Sequence, residues 1–230
     1  MKAIILAAGV GSRFGKFTQE NPKCLLTVGN ETILGREIRI LNELGFKKED
    51  IILMAGYKYE KLAGYDAKMI VNDKYNVTDN SYTLGLALKD VDDDVIIMDA
   101  DLVFDGKIIK NIIDNPEPNV ILTRMSEDLS ESTGISLRED GSICKIGKNI
   151  KDSGYVYISI FKVGKSAVKD FRTALLSERS EKTWYTAPLT EILDKHRFVN
   201  SVTDLKWHEV DYEEDYTETK ALFGFEEGKI

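Results

Sequence analysis

Residues Ala3-Ile4-Ile5-Leu6-Ala7-Ala8 form an apolar run with no polar side chain, and Gly9-Val10-Gly11-Ser12-Arg13-Phe14-Gly15-Lys16 follows at once. A short run that is apolar at every position suits a strand covered on both faces, not one with a wet side. It is far below the roughly 18 apolar residues of a membrane span. The glycine-rich stretch after it lacks the cleavage context of a signal peptide, so a buried strand is expected. The same texture recurs downstream. Further strands are expected at Ile51–Met54, Lys68–Val71, Val95–Met98 and Asn119–Thr123. Between them lie helical stretches. In Thr32–Leu44 the side chains of Leu34, Ile38, Leu41 and Leu44 share a face, and Gly45 terminates it. Shorter helices are expected at Tyr57–Leu62, from an Asn80 or Ser81 cap to about Lys89, and at Ile108–Ile113. This alternation predicts an α/β fold, a Rossmann-like, mostly parallel sheet flanked by helices. Ligands of such sheets bind beyond the carboxyl ends of the strands, which selects the loops after Ala8 and after Met98.

The texture changes after about Ser126. Ile135–Leu137, an Asp140-Gly141 turn and Ile143–Ile146 read as a β-hairpin. A strand at Tyr155–Phe161, helices at Lys165–Leu176 and Ala187–His196, strands at Val199–Thr203 and Trp207–Val210, and a helix at Glu213–Leu222 complete the chain. No repeat or low-complexity tract appears, and the 4 prolines do not cluster into a linker. One continuous domain over residues 1–230 is expected, with a small β-rich subregion in its second half.

Net charge narrows the ligand. The 31 Lys and Arg against 39 Asp and Glu leave −8, which disfavours nucleic-acid binding through the phosphate backbone. Cys24 and Cys144 lie far apart, and His196 and His208 add no zinc spacing. A reduced, cytoplasmic setting is expected. Against the acidic background the first 19 residues hold Lys2, Arg13 and Lys16 and no acid, and Pro22-Lys23 follows. A glycine loop after a strand exposes backbone N–H groups that can cradle phosphate oxygens. Its spacing fits neither the Walker A loop nor the dinucleotide fingerprint. A small polyanionic ligand is the reading, set against an ordinary turn with surface cations. Asp99-Ala100-Asp101 closes the Val95–Met98 strand, where paired acids are costly unless solvated or bound to a cation.

Lys2 through Arg13 followed by Pro22-Lys23 resembles the signature of nucleotidyltransferases that activate phosphorylated sugars and alcohols, and implies the nucleotide-diphospho-sugar transferase fold. The resemblance assigns residues 1–125 to the nucleotide and 126–230 to the acceptor. It implies that the backbone of Leu6, Ala7, Ala8, Gly9 and Gly11 holds a nucleoside triphosphate, and that Arg13 and Lys23 are the catalytic cations that neutralise the phosphates. Val95 through Phe104 resembles the family's metal loop, which places Mg2+ on Asp101, with Asp99 as the fallback. Trp207-His208-Glu209-Val210-Asp211 resembles the second metal strand and adds Asp211. Asp215 is expected to cap the last helix, Asp92-Asp93-Asp94 to be a solvated turn, and His208 to be peripheral.

Asn80-Ser81-Tyr82-Thr83-Leu84 narrows the resemblance to the phosphocholine cytidylyltransferase-like branch of bacterial and archaeal type. It implies that Asn80, Ser81 and Thr83 lie near the base. Asn80 can pair with a cytosine edge, or it can simply cap a helix. Lys148 stands where the superfamily often places a lysine that contacts the acceptor phosphate. Tyr155, Tyr157, Trp184, Tyr185, Trp207 and Tyr212 lie in the segments expected to line the acceptor pocket, with Tyr157 and Trp207 expected to be core instead. The implied partners are CTP and a small phosphorylated alcohol, amine or phosphonate, with no nucleic acid and no membrane span, and with a homodimer left open. Two other readings stand beside this: a sugar-1-phosphate nucleotidyltransferase using another triphosphate, and a catalytically silent nucleotide-binding regulatory subunit.

Overall fold

The computed structural model describes residues 1–126, 132–148, 150 and 154–225. Through these the chain runs β1 (Lys2–Ala7), α1 (Lys16–Glu20), β2 (Thr27–Val28), β3 (Glu31–Thr32), α2 (Ile33–Glu43), β4 (Ile51–Ala55), β5 (Lys68–Val71), α3 (Asn80–Ala87), β6 (Val95–Asp99) and β7 (Leu102–Phe104). It continues with α4 (Lys107–Asp114), β8 (Val120–Met125), β9 (Thr133–Leu137), β10 (Ile143–Lys148), β11 (Tyr155–Val163), α5 (Lys165–Leu175), α6 (Thr186–Ile192), β12 (Val199–Val202), β13 (Trp207–Glu209) and α7 (Glu213–Phe223). The main sheet has the order β10-β9-β11-β6-β1-β4-β5, with β8 and β12 attached through β11. Strands β5, β4, β1 and β6 are mutually parallel, whereas β11 runs antiparallel to β6, β8 and β9. The sheet is therefore mixed, with a parallel centre and an antiparallel wing.

Strand β1 is covered on both sides, as its uninterrupted apolar run requires. Ala3, Ile5 and Ala7 pack into one core layer with Leu34, Ile38 and Leu41 of α2 and Ile108, Ile109 and Ile112 of α4. Ile4 faces the other layer, with Leu84 of α3, Phe171 of α5 and Leu189 of α6. Each fully buried aliphatic or aromatic side chain contributes about 1.5–3 kcal/mol. After β1 the chain steps to β4 and β5 on one side, then returns to β6 on the other. The carboxyl ends of β1 and β6 therefore open on the same edge, at the reversal of strand order where such sheets bind ligands.

Most expected elements form within a residue or two. Thr32 caps α2 by accepting from the Gly35 amide at 3.0 Å. Two expectations are corrected. The Tyr57–Leu62 helix is a 3-10 turn over Tyr59–Leu62, because Lys58 takes a left-handed φ of 47°. The cap of α3 is Asp79, which accepts from the Asn80 amide, so neither Asn80 nor Ser81 serves as cap. Helix α1 and the three short strands β2, β3 and β7 are additions that short, weakly patterned segments did not signal. The Asp92–Asp94 turn lies before β6 as expected, but it is knitted in: Asp93 pairs with the N-terminal amine and Asp94 accepts from the Lys165 amide. No helix among the described residues is long and apolar enough to cross a membrane. Cys24 and Cys144 are both free.

A third apolar cluster supports the glycine loop from below. Phe14, Leu26, Val28, Ile33, Val103, Val210 and Tyr216 pack together, with the Phe14 ring edge-on to Phe17 and Tyr216. From the side, β4 presses close. A Cβ on Gly56 would lie 2.7 Å from the Ala8 carbonyl oxygen, which already accepts from the Tyr57 amide at 3.1 Å. Gly56→Ala is therefore expected to cost about 1–3 kcal/mol by overpacking and to lower Tm by several degrees in thermal denaturation. An unchanged Tm would show that the loop yields there.

Candidate active site

The loop after β1 and the segment after β6 face each other across a cleft of about 1060 Å3. Leu6, Ala7, Ala8, Gly9, Gly11, Arg13 and Lys23 line it from one side. Gly11 has a left-handed φ of 65°, and a Cβ there would stand 3.0 Å from the Lys23 Cβ. A side chain at position 11 would thus be strained in backbone and crowded by the lysine stem. Pro22 precedes a 3-10 turn over Lys23–Leu25, and this turn carries Lys23 under the loop.

The carboxylates arrive by a small antiparallel ribbon. Strand β13 pairs with β7 in the register Trp207 to Phe104, His208 to Val103 and Glu209 to Leu102. The Val210 amide then donates to the Asp101 carbonyl at 2.9 Å, which sets Asp211 beside Asp101. The Lys23 Nζ sits between them, 2.6 Å from Asp101 Oδ2 and 2.7 Å from Asp211 Oδ1, with its side chain only 12% exposed. Burial works against the ammonium charge, but Asp101 and Asp211 outweigh it and push the Lys23 pKa above its usual range. Arg13, at 52% exposure, places Nη1 2.8 Å from Asp211 Oδ2 and lies over the Tyr212 ring at 5.6 Å. The cluster thus holds two cations already aimed at one edge of the sheet.

Glu209 joins this cluster and was not singled out from sequence. Carboxylate oxygens of Asp101, Glu209 and Asp211 lie within 4.8 Å of one another. The signal was available, since Glu209 and Asp211 are two apart at a strand end and point to one side. Burial, then the charges of Asp101 and Asp211, push the Glu209 pKa well above the carboxylate range. Asp101 Oδ1 is buried without a hydrogen-bond partner. Three converging hard oxygen donors and one unsatisfied carboxylate oxygen fit a magnesium-type cation. Asp215 caps as expected: its Oδ2 accepts from the Asp211 and Tyr212 amides at 2.9 and 2.7 Å. His208 turns away, with Nδ1 2.8 Å from Thr219 Oγ1.

The other predicted residues divide. Asn80 lines the cleft, but its Oδ1 accepts from the Tyr185 amide at 2.8 Å and so ties α3 to the start of α6. Thr83 also lines the cleft, and its Oγ1 accepts from Asn72 Nδ2 at 2.9 Å. Ser81 is not among the lining residues: fully buried, it faces Thr183 at 3.3 Å. Trp184, Tyr185 and Lys148 line the cleft, whereas Tyr155 is not among the lining residues. Tyr185 is 2% exposed and donates its hydroxyl to Asp99 Oδ2 at 2.9 Å. Burial and neighbouring Asp101 raise the Asp99 pKa to about 7. Asp99 is thereby a floor group paired with a tyrosine, and Asp101 is the acid inside the carboxylate cluster. Tyr157 is buried as expected, yet its hydroxyl stands 3.1 Å from the Tyr185 hydroxyl and it lines the cleft floor. Trp207 is half-buried and also lines the cleft, with its Nε1 unpartnered.

Residues 3–146 match the model of the MobA-like NTP transferase domain. The chain belongs to that family. Over 94% of this chain and 97% of its own length, the CTP:phosphoglutamine cytidylyltransferase of Campylobacter jejuni is 26% identical. The choline-phosphate cytidylyltransferase of Streptococcus pneumoniae is 34% identical over 61% of this chain and 55% of its own. A solved CTP:phosphocholine cytidylyltransferase from the same organism superposes with a TM-score of 0.82 at 20% identity, covering 96% of this chain and 98% of the other. This NTP-transferase chain spans about half the length of several other curated relatives it matches.

One buried acid of this family member lies behind the cluster. Glu37 of α2 is 1% exposed, and neither carboxyl oxygen has a hydrogen-bond partner. Burial, with the charge of Asp101 behind it, raises its pKa well above the usual range. Above the unfolded pKa of about 4.3, folding must then take up a proton. Stability is greatest below that pH and falls as pH rises toward the folded pKa, by about 1.4 kcal/mol per pH unit. The Tm difference between Glu37→Gln and wild type is expected to move in favour of the variant from pH 5 to pH 8. A difference constant across that range would show Glu37 to be ionised in both states.

Proposed function

We propose that the chain is a cytidylyltransferase that acts in the cytoplasm as one domain over residues 1–230. It transfers CMP from CTP to the phosphate or phosphonate of a small acceptor and releases pyrophosphate. The observation that carries this reading is the convergence of the glycine loop, Arg13, Lys23, Asp101 and Asp211 on one cleft. The choice of CTP is supported by the Asn80–Leu84 stretch and by relatives whose names specify CTP.

The acceptor oxygen is an anion already, so attack on the α-phosphorus of CTP needs no general base. An oxygen–phosphorus bond forms in line as the bond to the pyrophosphate oxygen breaks. The difficulty is bringing two anions together, which makes catalysis a matter of alignment and charge. The loop backbone from Leu6 to Gly11 holds the nucleotide. Lys23 neutralises the reacting phosphate region from below, and Arg13, more exposed, meets the triphosphate at the mouth. Magnesium held by Asp101, Glu209 and Asp211 supplies further positive charge against phosphate oxygens when bound.

Pyrophosphate release measured with four triphosphates against phosphorylated amines, alcohols, sugars and phosphonates tests the reading. CTP with a small non-sugar acceptor is expected. UTP, dTTP or GTP with a sugar 1-phosphate would replace it, and no release with any pair would make the chain a silent nucleotide binder. Lys23→Ala is expected to lower kcat about 10- to 1000-fold, the loss of one electrostatic stabiliser. Asp101→Asn is expected to abolish magnesium-dependent release while the circular dichroism spectrum stays native. Full activity in that variant would move the metal to Asp99.

A further inference from the structure

Among the described residues, the acceptor half of the cleft holds a cation that no acid pairs with. Lys148 is the last residue of β10, and Trp184 stands just before α6. The Lys148 Nζ lies 4.6 Å from the centroid of the Trp184 ring, and both side chains line the cleft. Among the described residues Lys148 forms no ion pair, although the cleft is rich in carboxylates. Most of those carboxylates are engaged elsewhere: Asp101 and Asp211 with Lys23 and Arg13, Asp99 with the Tyr185 hydroxyl, and Asp79 and Asp215 as helix caps, while Glu209 sits in the cluster with Asp101 and Asp211.

An exposed indole face is the surface that would hold a quaternary ammonium group by cation–π attraction. Trp184 is 45% exposed, but its face already carries an ammonium from the chain itself. A trimethylammonium tail would have to displace Lys148 or sit against a like charge. An acceptor tail ending in a carboxylate, amide or hydroxyl oxygen would instead meet an N–H donor held in place by the ring beneath it.

We propose that Lys148, seated on Trp184, is the specificity-determining cation of the acceptor pocket. It selects phosphorylated acceptors whose tail ends in an oxygen group, a carboxylate above all, and discriminates against quaternary ammonium tails. The inference rests on the cleft taking a phosphorylated acceptor, and it goes beyond a lysine that contacts only the shared phosphate.

Isothermal calorimetry with 3-phosphoglycerate, glycerol 3-phosphate and phosphocholine, on protein loaded with magnesium and a non-hydrolysable CTP analogue, tests it. The wild type is expected to bind 3-phosphoglycerate at least about ten-fold more tightly than phosphocholine, with glycerol 3-phosphate between, since each charge-assisted hydrogen bond gained or lost is worth a factor of that order. In Lys148→Met the preference should disappear or invert. Equal affinity of the wild type for all three, no binding of any, or an equal loss for all three in Lys148→Met would overturn the assignment. Pyrophosphate release is measured in parallel with CTP, UTP, dTTP and GTP. Release whose acceptor ranking ignores Lys148→Met sinks the role of the lysine alone. A binding preference that follows Lys148 without release under any triphosphate sinks the transfer reaction and leaves that role standing.

Discussion

The Lys23 ammonium between Asp101 and Asp211 joins three parts of the chain that are distant in sequence. Two carboxylates brought together in a half-buried place repel each other and lose hydration, and a cation shared between them offsets both effects. Removing one partner from a buried pair of this kind costs about 3–5 kcal/mol, because the charge left behind has no counterion. The surrounding structure is arranged around that contact. Pro22 and the 3-10 turn aim the lysine, Gly11 leaves room for its stem, and the β7–β13 ribbon sets the spacing of the acids. The sheet supplies the rigid edge on which the glycine loop and the acid segment meet.

The groups that hold this edge together are also the ones a nucleotide would engage. Under the proposed function, a triphosphate would compete with Asp101 and Asp211 for the cations, and a divalent ion would compete with Lys23 and Arg13 for the carboxylates. Binding either one alone would break ion pairs, whereas binding both would exchange one balanced set of charges for another. The depth of the two cations matters here. Lys23 is fixed and nearly enclosed, and Arg13 rests on Tyr212 at the rim.

The parts of the fold carried by continuous patterns were legible in the sequence. The run at Ala3–Ala8 could be little else than a doubly covered strand, and β5 falls on Lys68–Val71 as expected. Charge and glycine placement likewise located the cleft, since Arg13 stood in the acid-free first 19 residues and Lys23 followed just beyond Glu20. What stayed hidden depends on tertiary contact. A strand at Trp207–Val210 was expected, and its two-residue spacing already put Glu209 on the side of Asp211; what three-residue β7 hid was the ribbon that brings both acids beside Asp101. The cap of α3 fell to Asp79 because its carboxylate reaches the helix amide, and Asn80 was free to bind the Tyr185 backbone instead. Ser81 follows from helical rotation: one step along α3 carries its side chain from the cleft to the core. Tyr185 and Tyr157 combine core packing with a polar tip, a double role that hydropathy alone does not separate.

Calorimetric titration of CTP, with magnesium and with a chelator, into wild type and Asp211→Asn tests the central claim most directly. If Arg13, Lys23 and the carboxylates form one charge-balanced site, wild type should bind CTP strongly only with the metal. In Asp211→Asn metal-dependent binding should weaken, while metal-free binding should tighten because both cations lose a competing acid. CTP affinity indifferent to the metal and to the loss of Asp211 would contradict the account.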